Sequence, residues 1–473
     1  HALPVPTRSI RTRKLPPWVG KRYPQREETS PFTARRMSFV VYGRRRVGKT
    51  TLVTEALETL PMTSIYFLCD QRGPAHNATQ FANHCAATFD DISPAVEGFV
   101  DAFKYLKRRV DGACVVALDE FSYLVESDET IPSVFQTIVD DVLKGTDISI
   151  VLLGSSISMM EDGVLSYESP LYGRRTGQWN LDPLSFADMQ AFFPTKDIET
   201  QIETYSVLGG IPAYLEQFDP GDALGSNIET HVLSKGAFLY EEPEFLLRQE
   251  LREPATYMAI LEAVAGGATR VTEIANTIDK NASSMSRYLK NLSELALLEQ
   301  ETPVTDPDGR GVYRITDDFL RFWFRFVAPN KGTLEQGRTA PVRDTIADSL
   351  ATHTSQTFES VCQQAVHSDS FPVACSRVGR WWYKEAEIDV VGLGPQTNTL
   401  LLGECKWTNN PVGLSLFGDL EALTEEVRWN GTDRTVQYVL FSRSGFTAEL
   451  RRLADDRADL FLYSLSDLAE IFE

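Results

Sequence analysis

The chain has 473 residues, 42% hydrophobic and 24% charged, which is ordinary for a globular protein but too long for one core, so three or four domains are expected. Its 46 basic against 66 acidic residues give a net charge of −20, with 13 lysines beside 33 arginines; this balance points to solubility in concentrated salt, with an ordinary acidic cytosolic protein as the alternative. The six cysteines form no CxxC pair and no zinc-ligand spacing, and no apolar run approaches the roughly 18 residues of a membrane span. Free thiols, no membrane partner and a cytoplasmic location are therefore expected. The first residues carry no apolar signal core. The chain opens on His1 rather than Met, so its natural start is expected to lie upstream.

Residues 1–36 are Pro-rich and basic, with nine Lys/Arg against Glu27 and Glu28. They read as an extended arm, with a clasp for nucleic acid or another domain as the alternative. Over 37–182 short β-branched runs alternate with helical stretches, the pattern of a parallel α/β sheet. Residues 183–250, opening on "PLSFADMQAFFP", turn helical and are expected to form a lid. Residues 251–328 are a compact set of helices ending in "GVYRITDDFLRFWFRFV", whose aromatic run reads as packing rather than as a platform for bases. A polar linker, "PNKGTLEQGRTAP", covers 329–341, and a last α/β unit spans 342–473.

Within the first α/β stretch, "GRRRVGKT" (Gly43–Thr50) matches G-x-x-x-x-G-K-[ST], preceded by the strand "SFVVY" and followed by the helix "TTLVTEALETL". Gly43 and Gly48 let the backbone curl so that successive N–H groups, Arg46 and Val47 included, point inward at phosphates. The helix start at Thr51 adds its positive end. Lys49 reaches the β- and γ-phosphates of ATP, and the Thr50 hydroxyl ligates Mg²⁺. The strand "CVVALDEF" then delivers Asp119 to the Mg²⁺ shell and Glu120 to the attacking water. "ISIVLLGSS" ends in Ser155 at the carboxyl edge, where open sheets bind ligands. In "SPLYGRRTG", Arg174 or Arg175 is a candidate charge for the γ-phosphate, from this chain or from a neighbour in a homo-oligomer; a surface ion pair is the alternative.

Further along, "RVTEIANTIDKNASSMSRYLKNLSELALLEQ" has the cadence of a helix-turn-helix. Its second helix offers Ser284, Arg287 and Lys290 on the polar side, for DNA bases and phosphates. Residues 251–328 nevertheless hold nine basic against eleven acidic groups, and winged helices also serve as packing modules, so contact with DNA stays open.

The stretch "EIDVVGLGPQTNTLLLGECKW" reads as a hairpin. With Pro395–Asn398 as the turn and Gly394 opposite Thr399, Asp389 falls opposite Glu404, and Glu387 opposite Lys406. Like charges directly opposed destabilise a ladder, and a divalent cation, Mg²⁺ or Mn²⁺, between Asp389 and Glu404 would offset them. Lys406 is then placed to orient water or to stabilise charge on a phosphodiester. That is the D…(E)xK arrangement of restriction-endonuclease-like nucleases. The bland alternative is a Glu387–Lys406 salt bridge beside a solvated Asp389. Residues 340–473 count eleven basic and twenty acidic groups, a poor electrostatic match for DNA.

Taken in order, "VVYGRRRVGKTTL", "ALDEF", "LLGSSISMM", "PLYGRRTG", "LGGIPAYLEQF", "YRITDDFLRFWFRFV" and "GECKW" resemble the archaeal AAA-type P-loop ATPases that carry a winged helix and a C-terminal restriction-endonuclease-like, PD-(D/E)xK, domain. The resemblance implies ATP binding and hydrolysis through Lys49, Thr50, Asp119 and Glu120. It also implies a further acid, Glu359, on a helix before the hairpin. The family's opening "FVGR"-like signature is met only loosely by "WVGKR" (Trp18–Arg22), and Pro24 and Pro31 interrupt the segment after it. Three functions compete: an ATP-regulated DNA nuclease, a non-cutting ATP switch, and a DNA-binding regulator with an ATPase input.

Overall fold

The computed structural model describes residues 38–431 and 433–472. The arm expected over 1–36, with Trp18–Arg22, Pro24 and Pro31, lies outside the described residues. The rest folds as two compact units that divide between Asp182 and Pro183.

The first unit is built on strands β1 (Ser38–Tyr42), β2 (Thr63–Leu68), β3 (Cys114–Asp119), β4 (Ile148–Gly154) and β5 (Gly177–Asn180). They form one parallel sheet in the order β2-β3-β4-β1-β5. Helices α1 (Lys49–Thr59), α2 (Pro74–Thr88) and α3 (Phe99–Arg109) provide its cover. Because both faces are covered, β3 and β4 are buried at every position, and their sequences read as unbroken apolar runs. Val116, Leu118, Ile150 and Leu152 join Phe81 of α2 and Phe103 of α3 in one core. Val115, Ala117, Val151 and Leu153 point the other way, to Val53 and Leu57 of α1.

The second unit begins with helices α4 (Ile198–Leu208), α5 (Phe238–Glu250) and α6 (Pro254–Ala265). Helices α7 (Val271–Thr277) and α8 (Ala282–Glu294) follow, joined by a turn in which Asp279 takes a φ of 52°. The antiparallel pair β6 (Leu298–Glu301) and β7 (Val312–Ile315) completes a winged helix-turn-helix. Met285, Tyr288, Leu289 and Leu292 are the buried side of α8. Beyond it, α9 (Asp318–Phe322) runs into a π-helical turn at Trp323–Val327. The aromatics of this run are core: Phe322, Trp323 and Phe324 are buried, and the Trp323 indole donates to the Tyr240 carbonyl at 3.0 Å.

The stretch expected as a linker over 329–341 contains a short helix, Lys331–Leu334, and the start of the 27-residue α10 (Ala340–Val366). Lys331 explains the departure: its ammonium lies 3.7 Å over the Tyr240 ring and 3.2 Å from Glu244, which ties the segment to α5.

The last sheet joins β8 (Arg377–Tyr383), β9 (Ala386–Gly394), β10 (Thr399–Lys406), β11 (Thr435–Ser442) and β12 (Leu460–Ser464). β8, β9 and β10 form an antiparallel meander; β11 and β12 add parallel strands through α11 (Leu414–Ala422) and α12 (Ala448–Asp456). The segment leaving β6 is bound to this sheet, since the Val304 N–H donates to the Arg380 carbonyl at 2.9 Å and Arg377 donates to the Val304 carbonyl at 2.6 Å. All six cysteines are free thiols. Among the described residues no helix is long and apolar enough to cross a membrane.

Candidate functional site

At the carboxyl edge of the first sheet, β1 is followed by Gly43 with a φ of +143°, and a Cβ there would stand 2.5 Å from the Leu181 carbonyl oxygen. Only glycine fits. Arg46, at φ 67°, and Gly48, at φ 96°, continue the left-handed turns of the loop, and buried Val47 anchors it. The Lys49 ammonium donates to the Gly43 and Arg44 carbonyls at 2.8 and 2.9 Å, so it lies across the loop. Thr50 and Thr51 follow Lys49 in the first turn of α1.

Buried Asp119 is the hub of the site. Its Oδ2 accepts hydrogen bonds from the Thr50 hydroxyl and from the Tyr66 hydroxyl, both at 2.6 Å, and its Oδ1 accepts from the Glu120 N–H at 2.8 Å. Glu120 takes a φ of 53°, and its Oε2 accepts from the Ser155 hydroxyl at 2.5 Å. The strand ends thus bring Thr50, Asp119, Glu120 and Ser155 together beside the loop. A hydroxyl and a carboxylate this close are hard oxygen donors suited to Mg²⁺, whose remaining ligands are ordinarily phosphate oxygens and water.

Tyr66 is a member of this cluster that motif reading misses. Burial and the Asp119 carboxylate raise its pKa, which keeps it a neutral donor. Its signal is positional, because β2 lies beside β3 and sets Tyr66 level with Ala117.

Arg174 and Arg175 are placed elsewhere. The Thr176 N–H donates to the Ser38 carbonyl at the start of β1, so both arginines precede the amino end of β5, at the sheet edge opposite the loop. Arg174 is paired with Asp140 at 2.8 Å. Arg175 donates to the Leu165 carbonyl at 2.7 Å and lies 5.2 Å from the centre of the Tyr172 ring. Within one chain Arg174 is a structural ion pair and does not join the cluster. The physical reason is the parallel register of β5 on β1, which carries the preceding turn to the far edge.

In the second unit, Ser284, Arg287 and Lys290 share the exposed side of α8. Arg287 faces Glu253 at 3.4 Å, donates to the Tyr288 hydroxyl and packs on its ring; Lys290 faces Glu294 at 3.4 Å.

The hairpin pairs Gly394 with Thr399 and continues to Val390 opposite Gly403. One step on, the Cys405 N–H donates to the Asp389 carboxylate at 3.0 Å, so the side chain takes over from the ladder. Asp389 and Glu404, each with its side chain 13% exposed, meet around the Lys406 ammonium, 3.6 Å from Asp389 and 2.6 Å from Glu404. Glu359 of α10 joins them: burial and then Asp389 raise its pKa, and burial and then Asp389 do the same to Glu404. Burial works against the Lys406 ammonium, but Glu404 and Asp389 outweigh it and hold it charged.

One expectation fails here. Glu387 bonds to Arg380 and pairs across to Trp382 of β8, because its strand has a neighbour on both sides. Arg380 also approaches Glu359 at 3.6 Å and Glu301 of β6 at 4.0 Å. Among the described residues no group of three or more His, Cys, Asp or Glu is arranged to hold a metal ion. Around Asp389 and Glu404 the charge is met by Lys406.

Comparison with known proteins places these regions. Residues 33–218 match the ATPase domain predominantly from Archaea. Residues 257–302 match the IclR helix-turn-helix domain, and 323–417 match a family described as Archaea bacterial proteins of unknown function. The uncharacterized protein MJECL04 of Methanocaldococcus jannaschii is 35% identical over 374 residues, 78% of this chain and 82% of its own length. This chain belongs to the same family. A second protein of that organism, the uncharacterized MJ0424, is 42% identical over 60 residues, 12% of this chain and 58% of its own. Among solved structures, the Walker-type ATPase PABY2304 of Pyrococcus abyssi is 22% identical with a TM-score of 0.46, covering 61% of this chain and 91% of that one. The chain thus carries an archaeal ATPase domain, which implies ATP binding, and an IclR-type helix-turn-helix.

The cluster around Asp119 predicts that Lys49→Ala abolishes ATP turnover, while Glu120→Gln keeps nucleotide affinity and slows hydrolysis about 100-fold or more. Single-turnover hydrolysis with radiolabelled ATP checks this, and undiminished turnover in either variant refutes the roles. The acid cluster predicts a pH effect. Glu359 and Glu404 have raised pKa values when folded, so folding favours their protonated forms; that stability is present in acid and is lost as pH rises above the ordinary carboxyl range. In metal-free buffer, Glu359→Gln should raise the melting temperature at pH 8.5 and change it less at pH 5.5. A melting temperature raised equally at both values contradicts the cluster.

Proposed function

We propose that this protein is an ATP-hydrolysing machine whose C-terminal sheet carries a divalent-metal-dependent DNA nuclease site. The observation that carries the second half is the meeting of Asp389, Glu404 and Lys406 on neighbouring strands, with Glu359 beside them. Two carboxylates crowded in a largely buried corner are costly unless a cation stands between them. The order of elements, a long helix, a three-strand meander and two parallel strands reached through helices, supports reading this part as restriction-endonuclease-like.

Asp389 and Glu404 would hold the ion, Mg²⁺ or Mn²⁺. When bound, the ion supplies positive charge to the scissile phosphate and acidifies a water. Lys406, released from the carboxylates, is positioned to orient that water and to stabilise the charge that develops on phosphorus oxygens. Glu359 tunes the corner by the charge it carries or sheds. At the other end of the chain, Lys49 would hold the phosphates of ATP, Thr50 and Asp119 would hold its Mg²⁺, and Glu120 with Ser155 would position the attacking water. The acid excess fits a protein that works in concentrated salt, and there DNA must be gripped by local arginine and lysine contacts rather than by the overall field.

One observation favours a second reading. Lys406 already bridges Asp389 and Glu404, as a purely structural ion pair would, and the protein would then be a non-cutting ATP switch whose helix-turn-helix binds DNA through Ser284, Arg287 and Lys290. Cleavage assays decide between them. Incubated with plasmid and single-stranded DNA in Mn²⁺ or Mg²⁺, with and without ATP, the wild type should cut, and Lys406→Ala should cut about 100-fold more slowly. No cleavage by the wild type, or equal cleavage by both proteins in chelator, removes the nuclease reading.

A further inference from the structure

The aromatic run of α9 and the turn after it carries two arginines, Arg321 and Arg325, at a spacing of four residues, which sets them one helical turn apart on one side. With Arg314 of β7 they line a cavity of about 410 Å³, bounded also by Gly266 after α6, Thr269 and Gln356 of α10. The cavity lies wholly within the second unit.

The three guanidinium groups differ in how they are satisfied. Arg314 is paired with Glu301 across the wing. Arg321 is 8% exposed and is held by Asp318 and the Thr357 hydroxyl, each at 2.5 Å. Arg325 has no side-chain hydrogen bond or ion pair among the described residues; its guanidinium lies 5.2 Å from the centre of the Phe326 ring. Among the described residues that line the cavity there is no carboxylate, while the Gln356 amide and the Thr269 hydroxyl add neutral donors.

The acids are not shared evenly among them. Glu299, Glu301 and Glu359 act on Arg314, Glu301 also faces Arg380 at 4.0 Å, and Asp318 is paired with Arg321, while the neighbouring charge acting on Arg325 is that of Arg321. His353, packed behind the same turn, is kept neutral by burial and by repulsion from Arg321 and Arg325. Burial and Arg321 likewise make the charged form of Arg325 less favourable than usual. In a chain of net charge −20, an arginine held next to another arginine, with no acid facing it, is a local excess of positive charge maintained at a cost. Planar guanidinium groups lining an open cavity match the oxygens of an anion such as phosphate, which the fork can bind through two parallel hydrogen bonds.

We propose that this cavity is a binding site for a phosphate group, with Arg325 as its free ligand and Arg321 and Arg314 as its supporting walls. The site is independent of the ATP loop and does not require the nuclease reading. The phosphate belongs either to a small phosphorylated ligand, which 410 Å³ accommodates, or to the backbone of a nucleic acid lying along the winged helix.

The test uses the full chain saturated with ADP, so that the ATP loop is filled. Calorimetric titration with inorganic phosphate, and separately with a short duplex DNA over a range of salt, is carried out on wild type, Arg325→Gln, Arg325→Lys and Arg452→Gln. Wild type should bind phosphate, Arg325→Gln about tenfold or more weakly, and Arg325→Lys at an intermediate level, since lysine keeps the charge but not the planar fork. Arg452→Gln, exposed on α12, should leave phosphate binding unchanged. If Arg325→Gln also lowers DNA affinity and reduces the slope of log affinity against log salt by about one, the phosphate is a backbone phosphate. If DNA binding is untouched while free phosphate binding falls, the ligand is a small phosphorylated molecule. An Arg325→Gln protein with an unchanged melting curve that binds both probes like wild type overturns the proposal, as does a wild type that binds neither.

Discussion

Three carboxyl groups and one ammonium share a largely buried corner where β9, β10 and α10 meet, and that crowding is the constraint on which any function of the C-terminal sheet rests. Opposed acids destabilise a hairpin, and Asp389 against Glu404 is tolerated because each is bound: Asp389 by the Cys405 N–H, and both by Lys406. Glu359 and Glu404 respond by holding their protons more tightly than ordinary carboxyls. A corner of this kind responds to any divalent cation that reaches it, because the ion would relieve a repulsion the fold already sustains.

The nucleotide site follows a different logic. Its geometry is carried by backbone rather than by charge, through left-handed turns at Gly43, Arg46 and Gly48 and a glycine that no larger residue can replace beside Leu181. Asp119 then couples loop and sheet, since it accepts from Thr50 on one side and from Tyr66 and the Glu120 amide on the other. The Thr50 hydroxyl and the Glu120 amide are thus linked through a single carboxylate.

Local features were legible in the sequence, and features that depend on which strand lies beside which were not. "GRRRVGKT" and "ALDEF" are read correctly as neighbours because strand, loop and helix are contiguous or parallel. The hairpin register could be counted from its turn, and Gly394 opposite Thr399 follows the count. Within one chain Arg174 takes its alternative reading, an ion pair, because its position depends on the register of β5 against β1. Glu387 was misassigned because β9 has a second neighbour, β8, whose Arg380 claims it. Tyr66 acts from an adjacent strand whose order in the sheet no motif announces. In "FLRFWFRFV" the aromatics were recognised as packing, and they hid a pattern visible in the same letters: two arginines four residues apart on one side of the run.

Manganese anomalous diffraction from crystals of the wild-type chain soaked with Mn²⁺ addresses the acid corner most directly. The account predicts an anomalous peak within coordination distance of both Asp389 and Glu404, with the Lys406 ammonium displaced from them and the peak lost in Asp389→Asn. Crystals that diffract well, show no peak at that corner and keep Lys406 on both carboxylates would contradict it.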